Sequence, residues 1–499
     1  MNGINDLKVA HTRGSLGYLH EATAMSGKPP LMADASEASN DPMERKRRWT
    51  TISIYLASIV ERADEQILPA LYYFVGVSLG ATPSQLGILT LARALVQAFT
   101  SPLSGVLGDT HDRGQIIAAG CFLWGLMTAA MGLSNTFAVA VFFSAWNGLG
   151  LSLVIPSSQS LIADYYPARA RGKAFGLLYM TGSFGGMLAG LFATNVGGRM
   201  PFGIEGWRFA YFCIAMVSLV TGTAVLLWAV DPRRSTASAR RTISNSMWVE
   251  TEAIFRVRSF QIIILQGIAG SMPWFAFGYL TLYFQLLGFS DWHASLLVAM
   301  FGLSTAFGSF IGGLLGDIAS VNSSNNGRII VAQVSTGLGL LLSIVLLRGL
   351  PHDDVERYYA GYMSVLILMG LTVSWCSAAC IGPVFSEIVP EHLRSMIYAY
   401  DRCMEVAIAA CATPVVGLVA EYFYGYEGPV ARRQENMSSV AAERHVSNAK
   451  ALGSALLISL MVPYVFSLVC YGLLYRSYPK DKARLILPDV YARLPPVEV

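Results

Sequence analysis

Charge is the scarcest feature of this 499-residue sequence: Asp, Glu, Lys and Arg together make up 13% of it, against roughly one quarter in soluble domains. A chain of this length has material for several soluble domains, but they would need far more charge to cover their surfaces. Other absences narrow the reading further. No HExxH or P-loop pattern occurs, which argues against a zinc protease of that type and against an ATP-driven pump. The seven histidines (His11, His20, His111, His293, His352, His392 and His445) lie in a tail, in loops or near helix ends. The seven cysteines (Cys121, Cys213, Cys376, Cys380, Cys403, Cys411 and Cys470) form no CxxC pair and sit in apolar stretches. They suggest helix packing rather than a zinc site or a disulfide framework. Neither a metal nor a cofactor is expected, and a net charge of +3 favours neither nucleic acid nor an acidic partner.

What the chain has instead is apolar length. Hydrophobic residues reach 54% and the mean hydropathy is +0.49. Runs long enough for a helix to cross a hydrocarbon core of about 30 Å fall near 49–78, 84–108, 115–133, 137–162, 172–196, 207–230, 260–287, 291–316, 328–348, 359–385, 395–421 and 451–475. The alternation that marks barrel strands is absent. The sequence therefore predicts an all-α membrane protein with twelve transmembrane helices. Residues 1–48, polar and mixed in charge, read as a disordered cytosolic tail without the pattern of a cleaved signal peptide.

Lys and Arg set the orientation. Arg45, Lys46, Arg47 and Arg48 precede span 1, Arg113 follows span 2, and Arg169, Arg171 and Lys173 follow span 4. The segment 231–259 carries six arginines, and more positive residues follow span 12, whereas the loops after spans 1, 3 and 7 carry none. Both termini are expected in the cytosol, with the plasma membrane as the default location. The segment 422–450 runs against the trend with Arg432, Arg433, Arg444 and Lys450, and reads as an exposed insertion. Its Asn436-Met437-Ser438 is a glycosylation sequon facing the right side.

The chain also repeats itself. Gly105-Val106-Leu107-Gly108-Asp109 ends span 2, and Gly313-Leu314-Leu315-Gly316-Asp317 ends span 8, 208 residues later. Asp164, Pro167 and Arg171 have counterparts in Glu387, Pro390 and Arg394, 223 residues on. Two matches at corresponding places predict two pseudo-symmetric six-helix bundles, 49–230 and 260–476, joined by a basic linker 231–259 and followed by a cytosolic tail 477–499. Such repeats rocking about a central site are a transporter plan.

These residues carry a family likeness. The loop Gly105-x-Leu107-Gly108-Asp109-x-x-x-Arg113-Gly114, the pair Arg171-Gly172, the run Gly206-Trp207-Arg208-Phe209 and the ridge Gly182, Gly186 and Gly190 on span 5 together resemble the major facilitator superfamily across 49–476. The stretches Glu61 to Glu65 and Asn147 to Gly150 are most similar to a little-characterised plant and algal branch, distantly similar to spinster-type lipid transporters. Two departures stand out. Gly114 lies five residues past Asp109 rather than three, and Ser144 stands where many members have a span-4 arginine. The resemblance implies a monomeric carrier of a small-molecule substrate, in contact with membrane lipid. It also implies a gating latch between the halves formed by Gly105, Asp109, Arg113, Asp164, Arg171, Gly313, Asp317, Glu387 and Arg394. Ordinary surface pairing is the plainer reading of those charges.

The strongest chemical signal lies in span 1. Glu61, Arg62, Asp64 and Glu65 fall 12–16 residues past its start, roughly 18–24 Å deep at the helical rise. Glu61, Asp64 and Glu65, spaced i, i+3 and i+4, share one face. Each charge at that depth costs about 2.5–3.5 kcal/mol, so they pair or face a wet cavity. One reading is a buried ion network neutralised by Arg62 or by Arg93 of span 2. The other is a substrate or proton site that includes Glu61, Arg62, Asp64, Glu65, Arg93 and Asn147. Span 7 adds an aromatic stripe (Trp274, Phe275, Phe277, Tyr279 and Tyr283), and span 11 adds Asp401, Arg402 and Glu405 near its cytosolic end. Three functions compete: a secondary carrier of a small organic solute, a non-transporting receptor or scaffold, and a transporter of lysolipid-type amphiphiles.

Overall fold

The computed structural model describes residues 42–166, 168–232, 255–352, 354–388, 403–428 and 439–486, with side chains left aside at 42–44, 102–106, 108–110, 163, 168–173, 175, 386, 439–442 and 484–486. Among these residues there are helices and turns but no strand. The helices are α1 (Pro42–Leu79), α2 (Pro83–Thr110), α3 (Arg113–Gly132), α4 (Phe137–Tyr165), α5 (Ala168–Gly197) and α6 (Gly206–Trp228). Then come α7 (Arg258–Leu287), α8 (Asp291–Asn322) and α9 (Gly327–Gly349). In α10, Tyr359–Val373 continues through a π turn at Ser377–Ile381 into Gly382–Ile388. Finally come α11 (Cys403–Phe423) and α12 (Ser439–Ile486). Described residues from Thr50 onward belong to one compact unit.

Local chemistry fixes the turns. Asp112 caps α3 by accepting from the Gly114 and Gln115 amides at 2.8 and 3.2 Å, so two orphan donors of the first turn are satisfied. Ser290 does the same for α8 through the His293 amide. Gly288 ends α7 at φ 108°, a left-handed conformation that a side chain resists. Short turns such as 80–82 and 111–112 send consecutive helices back and forth. The bundle therefore has two ends, called here the α1–α2 end and the α2–α3 end.

Among the described residues, ten helices are long and apolar enough to cross a membrane, α1 and α2 not among them. In α1 the cause is the run Glu61, Arg62, Asp64 and Glu65, of which the bundle buries Glu61 and Asp64. The outward faces are apolar: Phe99, Leu227 and Phe310 are each about 70% exposed, at 73%, 69% and 70%. Such faces suit hydrocarbon and no aqueous surface. Helix α3 packs on α4 and α6, and α2 on α4; α7 packs on α12, and α8 on α10. The pairs α2 with α11 and α5 with α8 tie these groups together.

Small residues allow the closest crossings. A Cβ on Gly150 of α4 would stand 2.6 Å from Trp124 of α3. The expected ridge on α5 needs a correction. Gly182 and Gly186 do lie against Ser58, Arg62 and Gln66 of α1, but the third contact is Gly185, whose Cβ would be 2.6 Å from the Ile59 carbonyl oxygen. Gly190 faces open space. The helix turns by about 100° per residue, so a ridge crossing α1 at an angle leaves the i+8 position behind.

The segment expected as an exposed insertion also differs. Residues 439–450 are already helical, and His445, Asn448 and Ala449 are buried. The Asn448 amide group clasps the backbone, accepting from the Glu427 N–H and donating to the Glu427 carbonyl, both at 3.0 Å. The Asn436 sequon lies outside the described residues. At its other end α12 runs on to Ile486, with Tyr478 and Asp481 buried.

Candidate functional site

Four helices deliver polar side chains to one buried point. Asp64 of α1, 3% exposed, accepts a hydrogen bond from Thr128 of α3 at 2.8 Å and another from the Asn147 amide of α4 at 3.1 Å. Asn147 also donates to Thr128 at 2.9 Å. Arg93 of α2 lies 3.9 Å from the same carboxylate and donates to the Asp64 backbone carbonyl at 3.3 Å. Gly148 makes this convergence feasible, since a Cβ there would collide with the Arg93 carbonyl. Two polar atoms at this point, Arg93 Nε and Asn147 Oδ1, are buried without a partner.

The remaining charges of α1 form a second group. Arg62 is 3.6 Å from Glu61 and 2.5 Å from Glu65. Glu61 is buried, whereas the Glu65 side chain is 41% exposed. The single acidic face read from the i, i+3, i+4 spacing is therefore divided: Asp64 turns toward α2, α3 and α4, while Glu61 and Glu65 flank Arg62. Both arginines named as alternatives take a share. The formal count is three carboxylates (Glu61, Asp64, Glu65) against two guanidiniums (Arg62, Arg93). Ser144, at the place of the missing span-4 arginine, is buried, and the cation beside Asp64 comes from α2 instead.

A second centre sits at the α2–α3 end. Arg113, first residue of α3 and 1% exposed, forks onto Asp231 just past α6 at 2.9 and 2.6 Å. It also pairs with Asp164 of α4 at 2.8 Å and donates to Ser160 at 2.7 Å. This bidentate geometry is the strong form of the ion pair. Arg328 at the start of α9 builds a related cluster. It lies 3.1 Å from Asp317 of α8 and 3.6 Å from Glu387 of α10, and donates to the Ala379 carbonyl at 3.2 Å. Lys482 of α12 pairs with Glu387 at 2.6 Å, and the Tyr478 hydroxyl donates to the same carboxylate. Burial pushes the Glu387 carboxyl up, but the Lys482 and Tyr478 hydrogen bonds and the charges of Lys482 and Arg328 outweigh it and hold the group below its ordinary value.

Of the expected latch, Arg113, Asp164, Asp317 and Glu387 thus enter ion pairs, each within α3–α6 or within α8–α12. Gly313 faces Ala378 of α10. Asp109 in the last turn of α2 and Arg171 in the first turn of α5 have side chains outside the described set, and the surroundings of Gly105 lie outside it too. Arg394, Asp401 and Arg402 lie outside the described residues altogether. Sequence reading passed over Asp231, Arg328, Tyr478 and Lys482. The 208-residue offset places Val321 opposite Arg113, because the α8–α9 connection displaces Arg328 to an offset of 215.

At the α1–α2 end, α2 meets α11 directly. The Glu421 carboxylate accepts from the Ser84 amide at 2.7 Å and from its hydroxyl at 2.9 Å, capping α2 from another helix. Tyr279 of α7 donates to the carbonyls of Pro83 and Thr413 at 2.6 and 3.0 Å. Three residues of the aromatic stripe, Phe277, Tyr279 and Tyr283, are buried core, while Trp274 is 43% exposed. Asn195 of α5 adds a bond to Ser295 of α8 at 3.1 Å.

The chain belongs to the Major Facilitator Superfamily, whose profile matches residues 54–414. Curated relatives include the quinolone resistance protein NorA of Staphylococcus aureus, 31% identical over 175 residues, which are 34% of this chain and 42% of the relative. The chain thus spans less than half the length of that relative. The protein spinster of Drosophila melanogaster is 22% identical over 470 residues, 89% of this chain and 74% of the relative. Among solved structures, a bacterial homologue of the human lysosomal transporter spinster, inward-facing and unoccupied, superposes with a TM-score of 0.74 at 18% identity. That match covers 87% of this chain and 98% of the other. The nucleoside transporter NupG gives 0.64 at 14% identity, covering 86% and 99%.

Proposed function

We propose that the protein is a secondary transporter moving a small organic solute by alternating access, with protons coupled through the acids of α1. The observation that carries this reading is the burial of two acids, Glu61 and Asp64, 5% and 3% exposed, on one apolar helix. In a medium that penalises charge, such acids are sites for a proton or a cationic group. Family membership supports transport as such, as do the transporters of like fold. On this reading α1 and α2 join the ten apolar helices as spans, giving twelve in two six-helix halves, 49–230 and 260–476. The α2–α3 end, with Arg113, Arg328 and Lys482, faces the cytosol together with both termini. A monomer in the plasma membrane is the expected form. The clusters around Arg113 and Arg328 serve as the cytosolic gate, and Asp109, Arg171 and Arg394 belong to it by their position in the chain.

The test is uptake and efflux of candidate solutes in proteoliposomes under an imposed pH gradient. Wild type should accumulate a solute against its gradient. Glu61→Gln and Asp64→Asn should abolish accumulation while leaving counterflow exchange. Normal accumulation by both variants would sink the coupling. An amphiphile as substrate is what the spinster-type resemblance implies, and the likeness to protein spinster runs through 89% of the chain. Lysolipid movement between leaflets of the same vesicles, blocked by these substitutions, would select it. The placement in a plant and algal branch rests on the Glu61–Glu65 and Asn147–Gly150 stretches alone.

A further inference from the structure

The α1–α2 end carries a feature that transport through α1 does not use. A cavity of about 120 Å³ opens between α7, α9 and α12, lined by Tyr283, Arg348, His352, Lys450, Gly453 and Ser454 among others. One water needs roughly 10–15 Å³ of such space, so the cavity has room for a small polyatomic ion. Its shape comes from small residues on α12. Ala449 and Gly453 lie one turn apart beneath it, and a Cβ on Gly453 would stand 2.9 Å from the Tyr283 ring. The same spacing puts Lys450 and Ser454 on one neighbouring face.

The polar lining is of one sign. Ser454, 6% exposed, accepts from Arg348 at 2.7 Å and donates to the Lys450 carbonyl at 2.8 Å, pinning the guanidinium by one nitrogen. A guanidinium has five donors and an ammonium three. No carboxylate of the described residues lies within ion-pair distance of Arg348 or Lys450. Tyr283 and His352 add a hydroxyl and a ring nitrogen 3.2 Å apart. Concentrated positive charge in a concave wall attracts anions, and an arginine fork beside a lysine suits tetrahedral oxyanions.

We infer that this cavity is a binding site for a phosphate group, held by Arg348 and Lys450 with Ser454, Tyr283 and His352 in support. Inorganic phosphate and the phosphomonoester head of a lipid share that chemistry. The site stands apart from the α1 acids, so it holds whether or not those acids couple transport.

The experiment uses the purified full chain in detergent and in nanodiscs. Binding is followed by calorimetry and thermal shift with phosphate, against chloride at equal ionic strength, and by native mass spectrometry with phosphatidic acid against phosphatidylcholine. Arg348→Gln and Lys450→Gln should each weaken binding about tenfold, as the loss of one charge-assisted contact implies. Arg357→Gln, a nearby exposed arginine, should leave it unchanged. Saturable binding of phosphate lost in both variants assigns the site to the free ion. Binding of phosphatidic acid alone, lost in both, assigns it to lipid. Absence of both, or binding indifferent to the two substitutions, overturns the site. Unfolding temperatures of the variants without ligand, matching wild type, separate loss of binding from loss of fold.

Discussion

At the scale of single residues, the deciding fact is that Asp64 and Arg93 satisfy each other only in part. Truncating one leaves the other charged and buried, which typically costs about 3–5 kcal/mol. Arg93→Ala should therefore lower the unfolding temperature markedly, and Arg93→Ala with Asp64→Asn should recover part of the loss. Equal loss in the single and double variants would show that the two do not interact. Glu387 gives a pH prediction. Its carboxyl is held below the ordinary value of 4.5, so its stabilising share is fully present above that value and disappears as pH falls through the lowered one. Acid titration of thermal stability should show a loss on that limb, and Glu387→Gln should flatten it. The sequence exposed Asp64, Glu61 and Arg93 because charge in an apolar run is conspicuous. It could not expose Thr128, since a lone threonine in a membrane helix has no distinguishing context.

At the scale of elements, hydropathy alone located nearly every helix, because a bilayer leaves the backbone few ways to satisfy its hydrogen bonds. Ends were less well read: α12 extends beyond its apolar core at both termini, held by polar contacts such as the Asn448 clasp that no run length reports. Crossing angle is equally invisible in a spacing rule, and so Gly190 was grouped with the tight contacts while Gly185 was not. Gly185→Val should cost about 1–3 kcal/mol, the usual range for overpacking, and Gly190→Val close to nothing. Thermal unfolding of the two side by side decides it; equal losses would contradict the packing of α5 on α1. The repeat rule failed at Arg328 for a related reason, because a connection longer by seven residues (215 against 208) shifts register without shifting chemistry.

At the scale of the whole molecule, α2 and α11 are joined at one end by a carboxylate that serves as a cap for the other helix. Helix N-termini favour anions, and the Ser84 amide and hydroxyl both point at Glu421. Glu421→Gln keeps the shape and removes the charge. It should raise hydrogen exchange of the Ser84 amide by about tenfold, the equivalent of 1.4 kcal/mol. An unchanged rate would mean that Tyr279, through the Pro83 and Thr413 carbonyls, joins α2 to α11 without it.

The length of α12 has a practical consequence for watching such movements. Lys450 and Lys482 stand on one helix, 32 residues apart, or about 48 Å along the axis, with Pro463 and Pro479 between them. Spectroscopic labels at those two places would form an internal ruler, and a label on α2 or α5 measured from both marks would separate tilt from translation.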